Sequence, residues 1–338
     1  MDPLSHAIAG RAVAAVMSES KRSAEASRDE QGEGSRDGVG IAAILGALAP
    51  DVDIALAPAG WDIYLRAHEV GTHSAIGALV VAWCAAAVVH RLTPGSRYAP
   101  LVAAASAGAM SHLALDALSG ARLRPAWPLV RTNVSLPLVA MADPWLLAIL
   151  VAGALVMWRR SPQLRSAARL LVAVVVGFLS FKGALLERAL HLVSLDPASP
   201  RASEARWGSL TQWYVFDRTP RTLRVRLVDA RGPSREVLSW PVGPVRIDAE
   251  SPPVRASRSL DTVKNFLQVH ELGFSTEQSD DAGRTSVFWS DIRYCWRTDG
   301  SAPQIACGLW FGGVFGPDGR ALAEQVKVGG WVQSRSPP

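Results

Sequence analysis

The sequence predicts an α-helical transmembrane bundle of about five to six segments, followed by a small β-rich domain outside the membrane. The helical prediction depends on long apolar stretches that have their polar residues at the ends, as helices that cross a bilayer do. Several stretches are shorter than the roughly 20 apolar residues of a full crossing, so a buried helical core in a soluble protein is the alternative interpretation. The four main stretches are residues 75–89, 99–118, 144–158 and 168–181.

A different pattern begins near residue 205. From there apolar and charged residues alternate, as they do in 222–228, and an alternation with a period of two indicates β-strands. Charged residues and tryptophan also become more frequent in this half of the chain. We therefore predict two domains, a membrane-embedded helical domain at 1–195 and a β-rich domain at 205–338.

The basic residues predict an orientation in the membrane and argue against a nucleic-acid partner. The formal net charge is +5 and the pI is about 9.4, but no dense Lys/Arg run with interleaved aromatic residues occurs, so no direct nucleic-acid binding is expected. With six alternating segments, the loops 18–40, 91–98 and 159–169 share one side and carry ten Lys/Arg, against four on the other side. The positive-inside rule makes the first side cytoplasmic, which places the β-rich domain of this multi-pass protein outside the cytoplasm.

Two cysteines of the β-rich domain are placed for a cross-strand disulfide. Cys295 and Cys307 lie symmetrically about residue 301, in two strand-like runs joined by the turn-rich residues 298–303. Such a bond needs an oxidising compartment, which agrees with the predicted location of the domain. The alternative is a pair of buried free thiols.

Histidine and aspartate residues gather at one face of the predicted membrane. When the segments are taken as alternating crossings, eight such residues fall at non-cytoplasmic ends, and ionisable residues in a membrane are costly unless function requires them. His90 falls at a cytoplasmic end and serves as a control. The eight residues are His6, Asp51, Asp53, His68, His73, His112, Asp116 and Asp143.

The spacing within this group suits metal binding. His112 and Asp116 are four residues apart, so both lie on one face of a helix, while Asp51 and Asp53 follow a helix-ending proline and point to one side of an extended backbone. Imidazole together with carboxylate suits zinc first, with manganese or iron as alternatives. We predict a divalent metal ion held by His73, His112, Asp116, Asp51 and Asp53, with His68 or His6 as a further ligand or a general acid/base.

Simpler structural roles compete with this interpretation. A histidine like His6, taken alone, is more often an interfacial residue than a ligand. Asp143 precedes Pro144 and is predicted to cap the helix that begins there. Thr72 is the predicted N-cap of the segment that follows it, and Lys182 is predicted to extend from a helix end to the membrane interface.

The ionisable residues stand in short motifs whose order along the chain is specific. The motifs of the first half are Met-Asp-Pro-Leu-Ser-His6, Ala-Pro-Asp51-Val-Asp53, His68 with Thr72-His73-Ser74, His112-Leu-Ala-Leu-Asp116 with Trp127-Pro128, and Asp143-Pro-Trp. The motifs of the second half are Gln212-Trp213 and Ser290-Asp291-Ile-Arg293-Tyr294.

With these motifs the chain resembles the predicted membrane-bound, metal-dependent hydrolases of bacterial inner membranes, some of them described as LexA-binding and as phospholipase-like. The resemblance covers most of the chain and implies a bacterial inner-membrane location, a divalent metal and hydrolase activity. A LexA-type protein partner is implied by the resemblance alone. Glu69 stands where an arginine usually follows the first histidine, and the stretch after Asp116 is shorter than usual, which affects substrate contacts more than the metal.

The motifs and the charge distribution predict a metal-dependent hydrolase that acts at the outer surface of the cytoplasmic membrane. Its substrate would be a small phosphoester or the head group of a membrane lipid, because a bound metal stabilises charge on a phosphoryl oxygen. The alternative is a non-catalytic membrane adaptor whose histidines are structural and whose β-rich domain binds a partner protein. A transporter is disfavoured because the ionisable residues lie at one face and not along a path.

Overall fold

The computed structural model of the chain separates into a helical unit and a strand-rich unit. The helical unit consists of Met1–Asp53, His68–Arg188 and Glu204–Gln212, and the strand-rich unit of Ile54–Ala67, Ala189–Ser203 and Trp213–Pro338. The loop 18–33, which carries part of the predicted cytoplasmic charge, lies outside the described residues. The structure describes residues 1–17, 34–130, 132–160, 163–193, 201–218, 222–241, 250–270, 272–298 and 304–337.

Helices dominate the first half of the chain. A 3-10 helix, Ala49–Leu56, directly continues the second α-helix, and a single π-helical turn, His68–Thr72, follows the third. The α-helices are α1 (Pro3–Met17), α2 (Gly34–Leu48), α3 (Trp61–Ala67), α4 (Ala75–Leu92), α5 (Tyr98–Leu118), α6 (Pro144–Arg159) and α7 (Leu164–His191).

Among the described residues, four helical segments are long and apolar enough to cross a membrane, judged by length and composition. They confirm the predicted fold class together with the β-sheets of the second half. Helix α6 is apolar but shorter, at 16 residues. The half-helix predicted at 41–49 belongs to a longer segment, because α2 continues without a break into the 3-10 helix. The four segments are Gly38–Leu56, Ala75–Leu92, Tyr98–Leu118 and Leu164–His191.

Helices α2 and α5 pack through alanine and glycine. A Cβ atom on Gly46 would lie 2.1 Å from the carbonyl oxygen of Ala105, and a Cβ atom on Gly108 would lie 2.2 Å from the carbonyl oxygen of Ala43. Small residues of this kind allow two helix backbones in a membrane to approach closely. The close approach brings the end of α2 against the part of α5 that carries His112, one turn after Gly108.

Two polar residues of the helical unit have structural roles. Asp143 is fully buried and accepts hydrogen bonds from the backbone N–H groups of Trp145 and Leu146, which confirms the predicted helix cap. Lys182 is also fully buried, and its ammonium group donates to the carbonyl oxygens of residues 209–210. The prediction that Lys182 extends to the membrane interface is wrong, because these carbonyl groups satisfy its charge inside the unit.

The second half of the chain forms antiparallel sheets, as the alternation predicts. One sheet has the strand order β1-β2-β3-β4, a second has the order β11-β10-β9-β6-β5, and β7 pairs with β8. Two short helices, α8 (Pro252–Ser257) and α9 (Asp261–Leu267), pack on the five-stranded sheet. The strands are β1 (Arg201–Ala205), β2 (Gln212–Arg218), β3 (Thr222–Asp229), β4 (Gly232–Pro241), β5 (Gly273–Ser279), β6 (Thr285–Asp291), β7 (Cys295–Thr298), β8 (Gln304–Cys307), β9 (Leu309–Phe315), β10 (Ala321–Val328) and β11 (Trp331–Arg335).

A disulfide joins the two cysteines of this half. Cys295 and Cys307 are direct cross-strand partners in the β7–β8 pair and are bonded to each other. The disulfide interpretation of the sequence therefore holds in the structure, and the alternative of two free thiols does not. The turn residues 299–303 lie outside the described residues.

The segment between Asp53 and His68 belongs to the strand-rich unit. The sequence predicts that this segment is part of the first domain, 1–195. Instead it contains helix α3, whose Trp61 and Leu65 pack against the hydrophobic core formed by α8, α9 and the five-stranded sheet. The chain therefore leaves the helical unit after Asp53 and returns to it at His68.

Candidate metal site

Three separate parts of the helical unit carry the predicted metal ligands. Asp51 and Asp53 lie in the 3-10 helix that continues α2. His73 directly follows the π-helical turn and precedes α4; turns of this kind often occur at functional sites. His112 and Asp116 are buried on one face of α5, as their four-residue spacing predicts.

The carboxylates of these residues lie close to two imidazole nitrogen atoms. The Nε2 atoms of His73 and His112 are 3.0 Å apart. The Asp116 Oδ2 atom lies 3.3 Å from the Nε2 atom of His73 and 3.0 Å from that of His112. The Asp51 Oδ1 atom lies 3.5 Å and 3.6 Å from the same two atoms. The side chains of His73 and His112 are fully buried, while 37% of the Asp51 side chain is exposed.

Three of these atoms have separations that suit one divalent metal ion. Nitrogen and oxygen ligands bind zinc at roughly 2.0–2.2 Å, and two corners of a tetrahedron are about 1.6 bond lengths apart, so the expected separation is about 3.3–3.6 Å. The three separations among His73, His112 and Asp116 run from 3.0 to 3.3 Å, and these three residues form one group of ligand atoms that could share an ion. Asp51 joins the histidines in two other such groups, which do not contain Asp116. The residues present therefore fit a divalent ion without a large movement of any side chain.

The hydrogen bonds of the two imidazoles also favour a cation between them. His112 Nδ1 donates to the backbone carbonyl oxygen of Ala47 at 2.7 Å, which leaves a lone pair on Nε2 of the neutral ring. The Thr72 hydroxyl donates to Asp53, so its oxygen accepts from His73 Nδ1 at 3.2 Å, and Nε2 of His73 also carries a lone pair. When both rings are neutral, the two Nε2 lone pairs face each other at 3.0 Å, and a proton or a metal cation shared between them would stabilise this contact.

The electrostatic environment of His73 also favours a cation at this position. Burial favours the neutral imidazole, but hydrogen bonds to Asp116 and Asp51 outweigh burial and raise the pKa of His73 to about 9. Carboxylates that hold a proton on this ring also attract a metal cation. Because a ligating histidine must be neutral, a metal ion and a proton compete for the same place.

Asp53 lies behind the histidines and not at the point of convergence. One of its oxygens is 3.1 Å from His68 Nδ1, accepts from the Thr72 hydroxyl, and is 3.8 Å from His73 Nδ1. Among the described residues, two of the three groups of ligand atoms that could share one ion include Asp51, and none of the three includes Asp53. A carboxylate on the far nitrogen of an imidazole fixes the orientation of the ring, so the geometry favours an orienting role for Asp53 over the direct ligation expected from the sequence.

The two remaining histidines differ in exposure. The His68 side chain is 28% exposed, and its ring centroid lies 3.8 Å from that of His73. His6 is fully buried, stacks on His112 with ring centroids 3.8 Å apart, and has its Nε2 atom 3.2 Å from Asp116 Oδ1. Both belong to groups of ligand atoms that could share an ion, His6 with Asp51 and His112, and His68 with Asp51 and His73.

The structure separates one predicted residue from the cluster and adds two groups to it. Asp143 caps α6 and belongs to none of the ligand groups found among the described residues. The prediction that Thr72 caps α4 is wrong, because Ser74 is the cap and Thr72 contacts the site. Thr72 is thus the first group that the structure adds. The second is the carbonyl group of Ala47, which accepts a hydrogen bond from His112; the sequence gives no signal for it, since every residue has a backbone carbonyl group.

Replacing Asp53 by asparagine is expected to weaken zinc binding by about 10- to 100-fold without removing a ligand, because the neutral amide no longer fixes His68 and Thr72 as firmly. Competition with a chromophoric chelator measures the affinity. Asp261→Asn is the control, since Asp261 is exposed and its side chain pairs with Lys264. A complete loss of metal, as expected for Asp51→Ala, would make Asp53 a direct ligand.

The fold and the site together define a helical membrane protein with a buried histidine–aspartate cluster that could hold a metal ion. The chain belongs to the YdjM inner membrane protein family, whose model matches residues 1–189. This match spans every residue of the cluster and supports the expected inner-membrane location. No curated protein and no solved structure matches the chain.

Proposed function

We propose that this protein is a metal-dependent hydrolase that acts on a phosphoester, in particular a phospholipid head group, at the surface of the inner membrane. The observation that carries the proposal is the convergence of the ligand atoms of His73, His112 and Asp116, with the Asp51 carboxylate within 3.6 Å of both histidines. Two imidazoles with two carboxylates suit zinc first, and manganese or iron next.

The residues of the site divide into holding, orienting and proton-transferring groups. When bound, a divalent ion would supply a Lewis acid that stabilises negative charge on a phosphoryl oxygen. We assign proton transfer to His68, whose Nδ1 atom is held by Asp53 at 3.1 Å, so that the carboxylate fixes the tautomer and turns Nε2 outward. His6, which was the other candidate for this role, is assigned to positioning Asp116.

The loop between α5 and α6 supports a lipid substrate over a small soluble one. Two backbone hydrogen bonds fix it next to the site, from Ala121 N–H to the Asp116 carbonyl at 3.1 Å and from Ala75 N–H to the Pro125 carbonyl at 2.9 Å. The loop also carries Arg124, a cation suited to a phosphate group. Exposed apolar residues clustered on a loop are typical of contact with lipid. They are Leu129, Val130, Val134, Leu136 and Met141.

The charge distribution and the disulfide support a site that faces away from the cytoplasm. The loops with ten Lys/Arg are cytoplasmic by the positive-inside rule, and the Cys295–Cys307 bond requires an oxidising compartment. We therefore propose a multi-pass arrangement with the strand-rich unit in the periplasm. A membrane-impermeant substrate should then be hydrolysed by right-side-out vesicles, and activity confined to inverted vesicles would contradict this orientation.

The experiment that tests the function compares zinc-loaded and chelator-treated protein on phosphatidylglycerol vesicles and on a soluble aryl phosphodiester. We expect zinc-dependent release of the head group from the vesicles. His68→Gln is expected to lower kcat by about 10²- to 10⁴-fold with unchanged metal content, as loss of a general acid or base does. His90→Gln is the control, because His90 contacts Ser96 and Tyr98 and not the cluster.

Each result separates two interpretations. Zinc-dependent hydrolysis of the soluble diester alone would assign a small phosphoester as the substrate and remove the lipid. A protein that purifies without stoichiometric metal and hydrolyses neither substrate would contradict the hydrolase proposal, and the membrane adaptor that binds a partner through its β-rich domain would take its place.

A further inference from the structure

Two residues of the candidate metal site, Asp53 and His68, are separated along the chain by a segment that belongs to the other unit. Residues 54–67 connect Asp53 to His68, but they belong to the strand-rich unit and not to the helical unit that holds the site. At the site itself the two ends of the segment meet, because the Asp53 carboxylate lies 3.1 Å from His68 Nδ1 and accepts a hydrogen bond from Thr72. The segment therefore forms a closed loop whose base is part of the site.

Charged and polar contacts fix the other end of this loop inside the strand-rich unit. The Asp62 side chain is fully buried and forms an ion pair with Arg335 of β11. Asn265 of α9 donates to Asp62 Oδ2 at 2.8 Å, and Gln333 of β11 donates to the carbonyl oxygen of Pro58 at 3.3 Å. A buried carboxylate that loses its cationic partner is left uncompensated, so these contacts hold the loop firmly.

Apolar packing and one glycine complete the attachment. Trp61 and Leu65 of α3 lie against the core of the strand-rich unit. Any side chain at Gly60 would collide with Arg335, because a Cβ atom there would lie 1.9 Å from the guanidinium group. The loop thus has the fixed conformation of an integrated element.

We propose that the strand-rich unit controls the metal site through this loop, and that Asp62, Arg335 and Asn265 are positioning residues for Asp53 and His68. This inference rests on the proposed function only in that the cluster binds a metal ion. The physical reason is that the orientation of a ligating imidazole is set by the groups at its far nitrogen. His73 Nδ1 contacts the Thr72 hydroxyl, which donates to Asp53, and the backbone of Asp53 leads directly into the loop. The family model matches residues 1–189 and does not extend to Asn265 or Arg335, so this control belongs to the second half of the chain.

The coupling between the attachment of the loop and the binding of the metal ion would be reciprocal. If the attachment of the loop raises the affinity of the site for a metal ion, then metal binding strengthens the attachment by the same factor. A ligand that binds the strand-rich unit and displaces Arg335 from Asp62 would thereby weaken metal binding at a distance.

Cobalt(II) titration of the full-length, detergent-purified protein tests the proposal. The visible absorption of cobalt(II) reports both its affinity and its coordination geometry, and it requires no enzymatic activity. We expect Arg335→Ala to weaken cobalt binding by about 10-fold or more and to change the absorption spectrum, as disturbance of an orienting partner does. Arg320→Ala is the matched control, because Arg320 is exposed and its partner Asp318 is exposed too; it should leave both unchanged.

A second readout separates positioning from general destabilisation. Hydrogen exchange of the wild type should show slower exchange in 54–67 when cobalt is added, and this slowing should be lost in Arg335→Ala while β6 and β9 remain protected. Asn265→Ala, which keeps the ion pair, provides the same test with a smaller expected effect if Arg335→Ala does not fold. Unchanged cobalt affinity and spectrum in the folded variant would overturn the proposal alone. A wild-type protein that binds no cobalt would instead overturn the proposed metal function.

Discussion

Substituting His73 or Asp116 by alanine is expected to remove stoichiometric metal from the purified protein and to lower its melting temperature, whereas His90→Ala leaves both unchanged. The reason is that the carboxylates of Asp116 and Asp51 each lie 3.0 to 3.6 Å from His73 and His112, and these four residues come from three separate parts of the helical unit. An ion held by all four links these parts, so its binding free energy adds to the free energy of unfolding.

The size of the stability change follows from the metal concentration relative to the dissociation constant. A metal present at 100 times its dissociation constant stabilises the folded state by about 2.7 kcal/mol. Loss of one ligand of four removes most of this contribution, since even disturbing an orienting partner commonly costs about 10- to 100-fold in affinity. The melting temperature of the wild type should therefore fall on addition of a chelator, and that of the two variants should not change further.

Elemental analysis and thermal unfolding with and without chelator make the measurement on all four proteins. Asp116 is the more informative position, because it contacts His73 and His112 and also His6. Unchanged metal content in both His73→Ala and Asp116→Ala would show that the cluster is not the metal site. If both variants melt at a lower temperature than the wild type but the wild type contains no metal, the cluster has a structural role, as in the adaptor hypothesis.

The sequence predicts the architecture well where the signal is local. Apolar stretches predict the membrane helices because a helix in lipid must be apolar along its whole length. Strict alternation predicts the strands because successive side chains of a strand point to opposite faces of the sheet. The Asp143 cap follows from one residue and the proline after it. The grouping of His73, His112, Asp116 and Asp51 follows from the alternation of crossings, which places the ends of separate helices at one face.

What the sequence does not predict depends on tertiary contacts. The geometry that favours an orienting role for Asp53 could not be predicted, because Asp51 and Asp53 are indistinguishable by spacing, and only the fold turns one of them towards His68. The loop 54–67 resembled a linker because the arginine that pairs with Asp62 is about 270 residues later in the chain. Lys182 looked like an interfacial residue because nothing near it in sequence reveals the carbonyl groups of residues 209–210.

Gly46→Ala is expected to lower both the thermal stability and the metal affinity of the protein, although Gly46 has no contact with the metal ligands. The added Cβ atom would lie 2.1 Å from the carbonyl oxygen of Ala105, which is rigid helix backbone. Relief of this contact requires α2 and α5 to separate by about 1 Å, and overpacking of this kind typically costs about 1–3 kcal/mol. The next residue of α2, Ala47, carries the carbonyl oxygen that accepts the hydrogen bond from His112 Nδ1 at 2.7 Å.

Separation of α2 from α5 lengthens that hydrogen bond and frees the His112 ring to turn, so the metal affinity should fall by about 10-fold or more along with the melting temperature. Gly177→Ala is the matched control, because among the described residues no atom lies within 4 Å of a Cβ atom at Gly177 of α7; alanine there should leave the affinity unchanged and slightly favour the helix. Chelator competition and thermal unfolding measure the two effects. A loss of stability at Gly46→Ala with wild-type metal affinity would mean that the Ala47 carbonyl group does not orient His112, because the overpacked helices would then have moved without disturbing the site.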